Sequence, residues 1–368
     1  MKDGIVVVRP AGPSGVSQHA ARAAEELRAR GHRVTELAVP EHALPAVGGV
    51  RAALANRRAI RGAAVVHVEL GVLNVTIFWF ALVAASLARA VVVAHDAPRI
   101  VQAPGAGVIG GGSRWRDILG HRVLSPLLDR VLRAWLNRSA RAGVVLTDAA
   151  GRAWAASGPS EIVIVEHGAE PPAAPPTPPS LGKHVLYAGF LGPSKGVDVL
   201  LDAWGGIAPS APVPLVIAGT HTGSPEDQRY LRTLHERASG LPNPIVWRGW
   251  VSDQDLARLF SEAAVVVIPY RRSNPASGVV VRAMVEGRPI VASRVPAALD
   301  ALRDREDALL VAPGDVTGLR QAIQELLSDV ALRDALGATA ARRATERFTW
   351  TRHVEGLEAA YRFACEGG

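Results

Sequence analysis

Residues 185–204 read VLYAGFLGPSKGVDVLLDAW and hold one complete step of the fold. Val185–Ala188 is a short apolar run that reads as a strand. Gly189–Gly196 is a glycine-rich loop, and Val197–Trp204 reads as a helix. Strand, glycine turn and helix in this order are the opening of a parallel βαβ unit. Lys195 puts a positive charge on that loop, where side chain and backbone N–H groups together can grip a diphosphate. The GK[ST] ending of a P-loop is missing.

The same pattern extends downstream. Pro214–Ala218, Ile245–Trp247, Val265–Ile268, Ile290–Ser293 and Ala308–Val311 read as further strands, with a helix over Tyr230–Ala238. Residues 269–293, PYRRSNPASGVVVRAMVEGRPIVAS, run from strand end to loop, then through a helix closed by Gly287 into the next strand. A helix that opens on Ser277-Gly278 and small residues presents bare N–H groups, which makes an anion site. Lys195 and this helix start would bracket two phosphates from opposite sides.

Upstream, Ile5–Val8, Val34–Leu37, Ala64–Val68, Val91–Ala94, Gly143–Thr147 and Ile162–Glu166 read as strands. A helix over Gln18–Arg30 stops at Gly31. Between the two halves lies PPAAPPTPP, residues 171–179, which suits neither a helix nor a sheet interior. We therefore expect an α/β protein of two doubly wound, Rossmann-like domains facing a cleft, with ligands at the C-terminal ends of both sheets. The expected divisions are a domain over 1–166, a Pro-rich linker over 167–181, a domain over 182–345 and a C-terminal helix over 346–368. In that last helix Trp350, Val354, Leu357 and Tyr361 form one apolar stripe that must bury against something.

Bulk properties fit this division. The chain has 368 residues, 48% of them hydrophobic and 20% charged, which excludes a disordered protein. Its net charge of +7 favours anionic partners. No Lys/Arg block with interleaved aromatics appears, so nucleic acid is not expected as a partner. Cys365 is the sole cysteine, which rules out an internal disulfide and suits a reducing compartment. The N-terminal apolar run is too short for a signal peptide. Gly71–Ala88 carries no charge but holds Asn74, Thr76 and Ser86. A buried or membrane-apposed helix is expected there, in preference to a span.

Several further segments carry candidate chemistry. Gly105–Gly110 spells G-x-G-x-x-G, yet it follows no strand directly and reads as part of a loop over Pro104–Ser113. Gly12–Ser17 links the first strand to the first helix and reads equally as a tight turn or as a ring of N–H groups aimed at a ligand. His95-Asp96 ends a strand, where an imidazole can hydrogen-bond a substrate hydroxyl or a leaving phosphate. The 11 histidines are scattered through the sequence, with no HExxH or Asp-x-Asp motif, so no metal is expected. A G-x-S-x-G elbow is also missing.

In order and spacing these motifs resemble the large retaining family 4 of GT-B glycosyltransferases, across nearly the whole chain. Gly12–Val34 resembles its opening glycine loop, helix and turn. Gly189–Trp204 resembles its donor-phosphate loop, and Trp247–Tyr270 resembles the segment lining the nucleotide base. Ala312–Asp315 and Phe348–Trp350 resemble its ending, in which the last helix returns to the first domain.

The resemblance implies transfer of a sugar, with retention and without a metal or other cofactor, from a nucleotide-diphosphate sugar to a hydroxyl acceptor. UDP and GDP are the expected nucleotides. Lys195 would neutralise the leaving diphosphate, His95 would lie near the transferred sugar, and Asn274 would bond a sugar hydroxyl. Gly15, Gly189, Gly192, Gly196, Val251, Ser277, Gly278 and Val279 would contact the donor. Ser14, His19 and Asp96 would lie on the acceptor side.

Two positions that often carry glutamate in that family are Asn274 and Arg282 here, and the frequent donor-loop Arg is Phe190. Arg282 cannot accept from ribose hydroxyls. Glu286, four residues on, could pair with it or supply a carboxylate one turn later. This chain is similar to a subset with a Ser-Gly helix start and no paired glutamates. The acceptor would be a polysaccharide, glycolipid or metabolite, and a lipid-linked one would suit an Arg-rich, apolar first domain docked on the inner face of a membrane. Arg57, Arg58, Arg61 and Gly71–Ala88 are the residues in question. The alternative is a nucleotide-sugar-binding partner of another transferase that has lost turnover.

Overall fold

The computed structural model describes residues 4–12, 14–71, 74–97, 125–159, 161–172, 178–207, 213–221, 225–272 and 277–366, with backbone alone at 125–129 and 225. They form two compact units, one of residues 1–168 with 350–368 and the other of residues 169–349. The crossings therefore fall at 168/169 and 349/350 instead of 166 and 345. The reason is local: Ala169 N–H donates to the Phe348 carbonyl at 3.1 Å and Ala169 forms a β-bridge with Thr349, so the two passing segments pair with each other.

In the first unit the strands are β1 (Ile5–Pro10), β2 (Val34–Val39), β3 (Val65–Leu70), β4 (Ala90–Ala94), β5 (Ala142–Val145) and β6 (Ile162–Ile164), all parallel to their neighbours in the order β2-β1-β3-β4-β5-β6. Strands covered on both faces read as unbroken apolar runs, which is why they are plain in the sequence.

One face packs on α4 (Val75–Leu87) through Ile77, Phe78 and Phe80, and on Trp154 of α6 (Asp148–Ala155). Residues 75–87 of the apolar stretch are thus core. Its helix spans 13 residues, and no helix among the described residues is long and apolar enough to cross a membrane. Before it come α2 (Pro45–Ala55) and α3 (Arg57–Gly62), and α5 (Ser125–Ser139) precedes β5.

The other face packs on α1 (Gly15–Ala29) and on the last helix, α14 (Trp350–Glu366). Val354, Leu357 and Tyr361 of that helix are buried, each contributing about 1.5–3 kcal/mol relative to an exposed position. Arg30 and His32 close this seam on Glu358, His32 Nε2 at 2.8 Å. The first helix begins at Gly15, three residues before the sequence suggests, because Ser14 caps it by accepting from Ser17 N–H at 3.1 Å.

In the second unit β7 (His184–Ala188), β8 (Leu215–Ala218), β9 (Ile245–Gly249), β10 (Ala263–Ile268), β11 (Ile290–Ser293) and β12 (Ala308–Val311) form a parallel sheet ordered β12-β11-β10-β7-β8-β9. The flanking helices are α7 (Val197–Gly205), α8 (Pro225–Ser239), α9 (Asp253–Ser261), α10 (Gly278–Val285), α11 (Pro296–Ala301), α12 (Val316–Ser328) and α13 (Val330–Arg347). The end of the expected linker belongs to this unit, since Ser180 N–H donates to Asp334 of α13 at 2.8 Å.

Candidate functional site

The strand order places each glycine loop. In the second unit the chain winds from β7 to β9 on one side and from β10 to β12 on the other, so β7 and β10 flank the switch point where the loops part. Ligands bind doubly wound sheets at this place. The two loops that leave it are residues 189–196, which carry Lys195, and the segment from Pro269 to the start of α10 at Gly278.

The two loops are joined through backbone. Arg271 and Arg272 N–H groups both donate to the Ser194 carbonyl, at 2.9 and 3.3 Å. Gly196 sits in the left-handed region at φ 66°, with the Pro269 carbonyl where a Cβ would stand, so only glycine fits. Lys195 Nζ lies 4.0 Å from the Tyr270 ring centroid, a cation–π contact that holds the ammonium at the loop. Phe190, at the position of the missing loop arginine, is 51% exposed, and Gly189 and Gly192 lie on the same loop. Arg271 reaches Asp198 at the first turn of α7, Nη2 to Oδ2 at 2.6 Å. Burial opposes ionisation of Asp198, but hydrogen bonds from Arg271 and Tyr230 outweigh it and lower its pKa.

The start of α10 is open. Ser277 caps it without a side-chain hydrogen bond, Gly278 is exposed and Val279 half-buried, and among the described residues no side chain caps the first turn, which makes it a candidate anion site. One turn later Arg282 Nη2 donates to Glu286 Oε1 at 2.6 Å, and the Glu286 side chain is only 3% exposed. Of the two roles open to Glu286, it takes the pairing one. Val251 lies at the end of β9, two strands from β7, half-buried beside an exposed Trp250. Asn274, Pro98–Arg114 and Gly105–Gly110 lie outside the described residues.

In the first unit β1 and β3 flank the switch point. Ser14 and Gly15 follow β1, and a Cβ at Gly15 meets no protein atom within 4 Å, so packing alone does not call for glycine there. His95 follows β4, its N–H donating to the Leu70 carbonyl at 3.0 Å, and Asp96 comes next.

His95 and His19 meet at Glu69, which the sequence reading did not single out. The Glu69 side chain is fully buried on β3. His19 Nδ1 is 3.2 Å and His67 Nε2 2.9 Å from its Oε1, and His95 Nε2 contacts Oε2. His67 Nδ1 in turn meets the Tyr361 hydroxyl of α14. His167 and His353 lie with their rings 4.9 and 4.6 Å from that of His19.

Burial opposes the Glu69 charge, but His19 and His95 hold its carboxyl well below the usual range. Burial also lowers His95, and the Glu69 charge more than reverses this, leaving its pKa raised. Burial depresses His19 and takes His353 well below its ordinary value, and it brings His167 down to about 3. His19, Glu69 and His95 offer three ligand atoms within 4.8 Å of one another, a donor set that suits a divalent ion. One sequence signal was available: His67 and Glu69 stand at i and i+2, on one face of an otherwise apolar strand.

Two cavities lie elsewhere, beside the starts of strands. One of about 500 Å³ is bounded by His235, Pro244 and Trp247, and one of about 640 Å³ by Arg61, Arg89, Arg138 and Arg141.

Comparison with known proteins agrees with this geometry. Residues 182–329 match the family described as Glycosyl transferases group 1. Over 192 residues the chain is 34% identical to a phosphatidyl-myo-inositol mannosyltransferase of Mycobacterium leprae, covering 52% of this chain and 49% of that protein. It is 29% identical over 183 residues to a mannosylfructose-phosphate synthase of Agrobacterium fabrum, covering 48% and 40%. The chain thus spans about half the length, or less, of these curated relatives. Among solved structures, Anabaena HepE in complex with UDP-glucose superposes with a TM-score of 0.74 at 17% identity, over 97% of this chain and 99% of that one. Sucrose-phosphate synthase of Thermosynechococcus elongatus gives 0.76 at 19%, over 99% and 100%. The fold is that of the GT-B glycosyltransferases.

Proposed function

We propose that this chain is a glycosyltransferase that moves a sugar from a nucleotide-diphosphate sugar to a hydroxyl acceptor. The observation that carries the reading is the pairing of two anion-shaped loops at one switch point, inside the segment that matches the glycosyltransferase family. Lys195 and the N–H groups of Ser277, Gly278 and Val279 hold the diphosphate, and Gly189, Gly192 and Gly196 let the loop backbone approach it. That a structural neighbour is in complex with UDP-glucose supports a nucleotide-sugar donor. Gly15 approaches the donor from the first unit, His95 lies near the transferred sugar, and Ser14, His19 and Asp96 lie on the acceptor side.

Retention of configuration and independence of metal belong to this reading. The anomeric coupling of the product in proton NMR and turnover in excess chelator test them. A membrane contact through α2 and α3, serving a lipid-linked acceptor at the inner face, also belongs to it.

Calorimetric titration with UDP and GDP, followed by turnover of a panel of UDP-, GDP- and dTDP-sugars, tests the core claim. Lys195→Ala is expected to weaken nucleotide binding about tenfold or more, since a charge-assisted hydrogen bond contributes about 1.5–3 kcal/mol. An unchanged dissociation constant shows the donor site to be misplaced. Binding without turnover across a broad set of acceptors leaves a donor-binding protein and removes the transferase.

A further inference from the structure

A carboxylate can stay ionised inside a protein only where other groups replace the water it gave up. Among the described residues no arginine or lysine pairs with Glu69; its partners there are His19, His67 and His95. An ionised carboxylate only accepts, so each nitrogen that faces it must carry the proton. With single-proton imidazoles, that condition sets the direction of every bond in the chain. The Tyr361 hydroxyl donates to His67 Nδ1, His67 Nε2–H donates to Glu69 Oε1, and Glu69 Oε2 receives Nε2–H of His95. The chain starts on the last helix, crosses β3 and ends on the residue after β4. Along it only His95 keeps a little surface, 12% of its side chain.

We propose that Glu69 is the positioning residue of His95, fixing the imidazole with Nε2–H against the carboxylate and Nδ1 on the opposite edge, turned to the end of β4. There Nδ1 of the neutral ring is held as a rigid acceptor for the hydrogen bond of a sugar or acceptor hydroxyl. The kinetic part of this inference rests on the transferase reading; the orientation does not. The other titratable groups around the pair are His19 on α1, His67 on β3, Asp96 after His95, His167 after β6, and His353 and Tyr361 on α14. Of these, the Glu69 and Asp96 charges raise the proton affinity of His95. His19 is neutral at ordinary pH, because burial depresses it.

The test is a long-range proton–nitrogen NMR titration of full-length protein with labelled histidine, the His95 signal being the one lost in His95→Asn. The expected wild-type result is a midpoint above the ordinary 6.5, with Nε2 protonated in the neutral form. Glu69→Gln removes the charge and keeps the shape, so the midpoint falls and the tautomer preference weakens. Should that variant fail to fold, Tyr361→Phe carries the same reading with a smaller shift.

In steady-state assays Glu69→Gln is expected to lower kcat about tenfold or more, shift the pH profile and leave the donor KM within about twofold. A purely structural role moves thermal stability alone. The proposal is overturned by an unchanged His95 tautomer preference in a folded Glu69→Gln protein. A stoichiometric zinc ion bound by His19 and His95 overturns it equally. A weakened tautomer preference in a protein that turns over no sugar nucleotide keeps the orientation and removes only the transferase reading.

Discussion

Arg282 stands where the family resemblance would place a carboxylate, and its geometry pairs it within its own helix. Its guanidinium meets a nearly buried Glu286 within the same helix, Nη2 to Oε1 at 2.6 Å. Removing one partner strands the other's charge out of water, which costs more than the pair itself contributes. Arg282→Ala is therefore expected to lower unfolding free energy by about 2 kcal/mol in urea, with Glu286→Gln in addition restoring part of it. Nucleotide affinity should stay within about twofold; a tenfold loss at unchanged stability would return Arg282 to the donor site. The loops that hold Lys195 and Ser277 were legible in the sequence because they carry their own signal, glycines between a strand and a helix. Glu69 was not, since its partners lie as far as 50 residues away and His67 meets Tyr361 across 294. No local pattern connects such residues before the sheet does.

At the scale of elements, the twelve strands among the described residues could be read, most of them because a parallel strand buried on both faces is an apolar run, while the half-exposed edge strands β2, β6 and β9 showed through their β-branched residues. Helix starts were less legible: Gly15-Val16-Ser17 looks like loop until Ser14 caps it. The uncharged stretch up to Ala88 was ambiguous because a buried helix and a membrane-apposed one have the same composition. The structure places residues 75–87 in the core, so the proposed membrane contact is left to α2 and α3. Leu44, Val47, Arg51 and Leu54 are exposed at helical spacing, followed by exposed Arg57, Arg58 and Arg61. An apolar stripe beside guanidinium groups fits the interface of an acidic bilayer. Sedimentation with acidic vesicles at low salt is the expected outcome, lost in an Arg57→Glu/Arg58→Glu protein. Failure of the wild-type chain to sediment removes the contact.

At the scale of the molecule, the buried imidazoles set a pH optimum for stability. His19, His167 and His353 have lowered pKa values in the folded chain, so the unfolded chain binds more protons as pH falls below about 6.5, and stability falls with it. His95 is raised, so its contribution is complete below 6.5 and is lost as pH climbs through its folded value. Melting temperature should therefore peak near neutrality and decline towards pH 4, where Glu69, with a folded pKa well below the usual range, still keeps its charge. His167→Asn is expected to flatten the acid limb. A wild-type curve flat between pH 7 and 4.5 would show that these rings are not buried in neutral form.

The placement of the final helix also sets an order of events during synthesis. Residues 169–349 are an insertion within the first unit, and α14, which supplies Tyr361, is made only after that insertion. At about 5–20 residues per second, the wait is on the order of tens of seconds. Throughout it, the nascent first unit exposes the sheet face that α14 will cover, and Glu69 and His67 lack the hydroxyl that ends their chain of bonds. The second unit can close in the meantime, so the first half of the chain to leave the ribosome is the last to mature. The imidazoles around Glu69 take their folded arrangement only when that helix arrives.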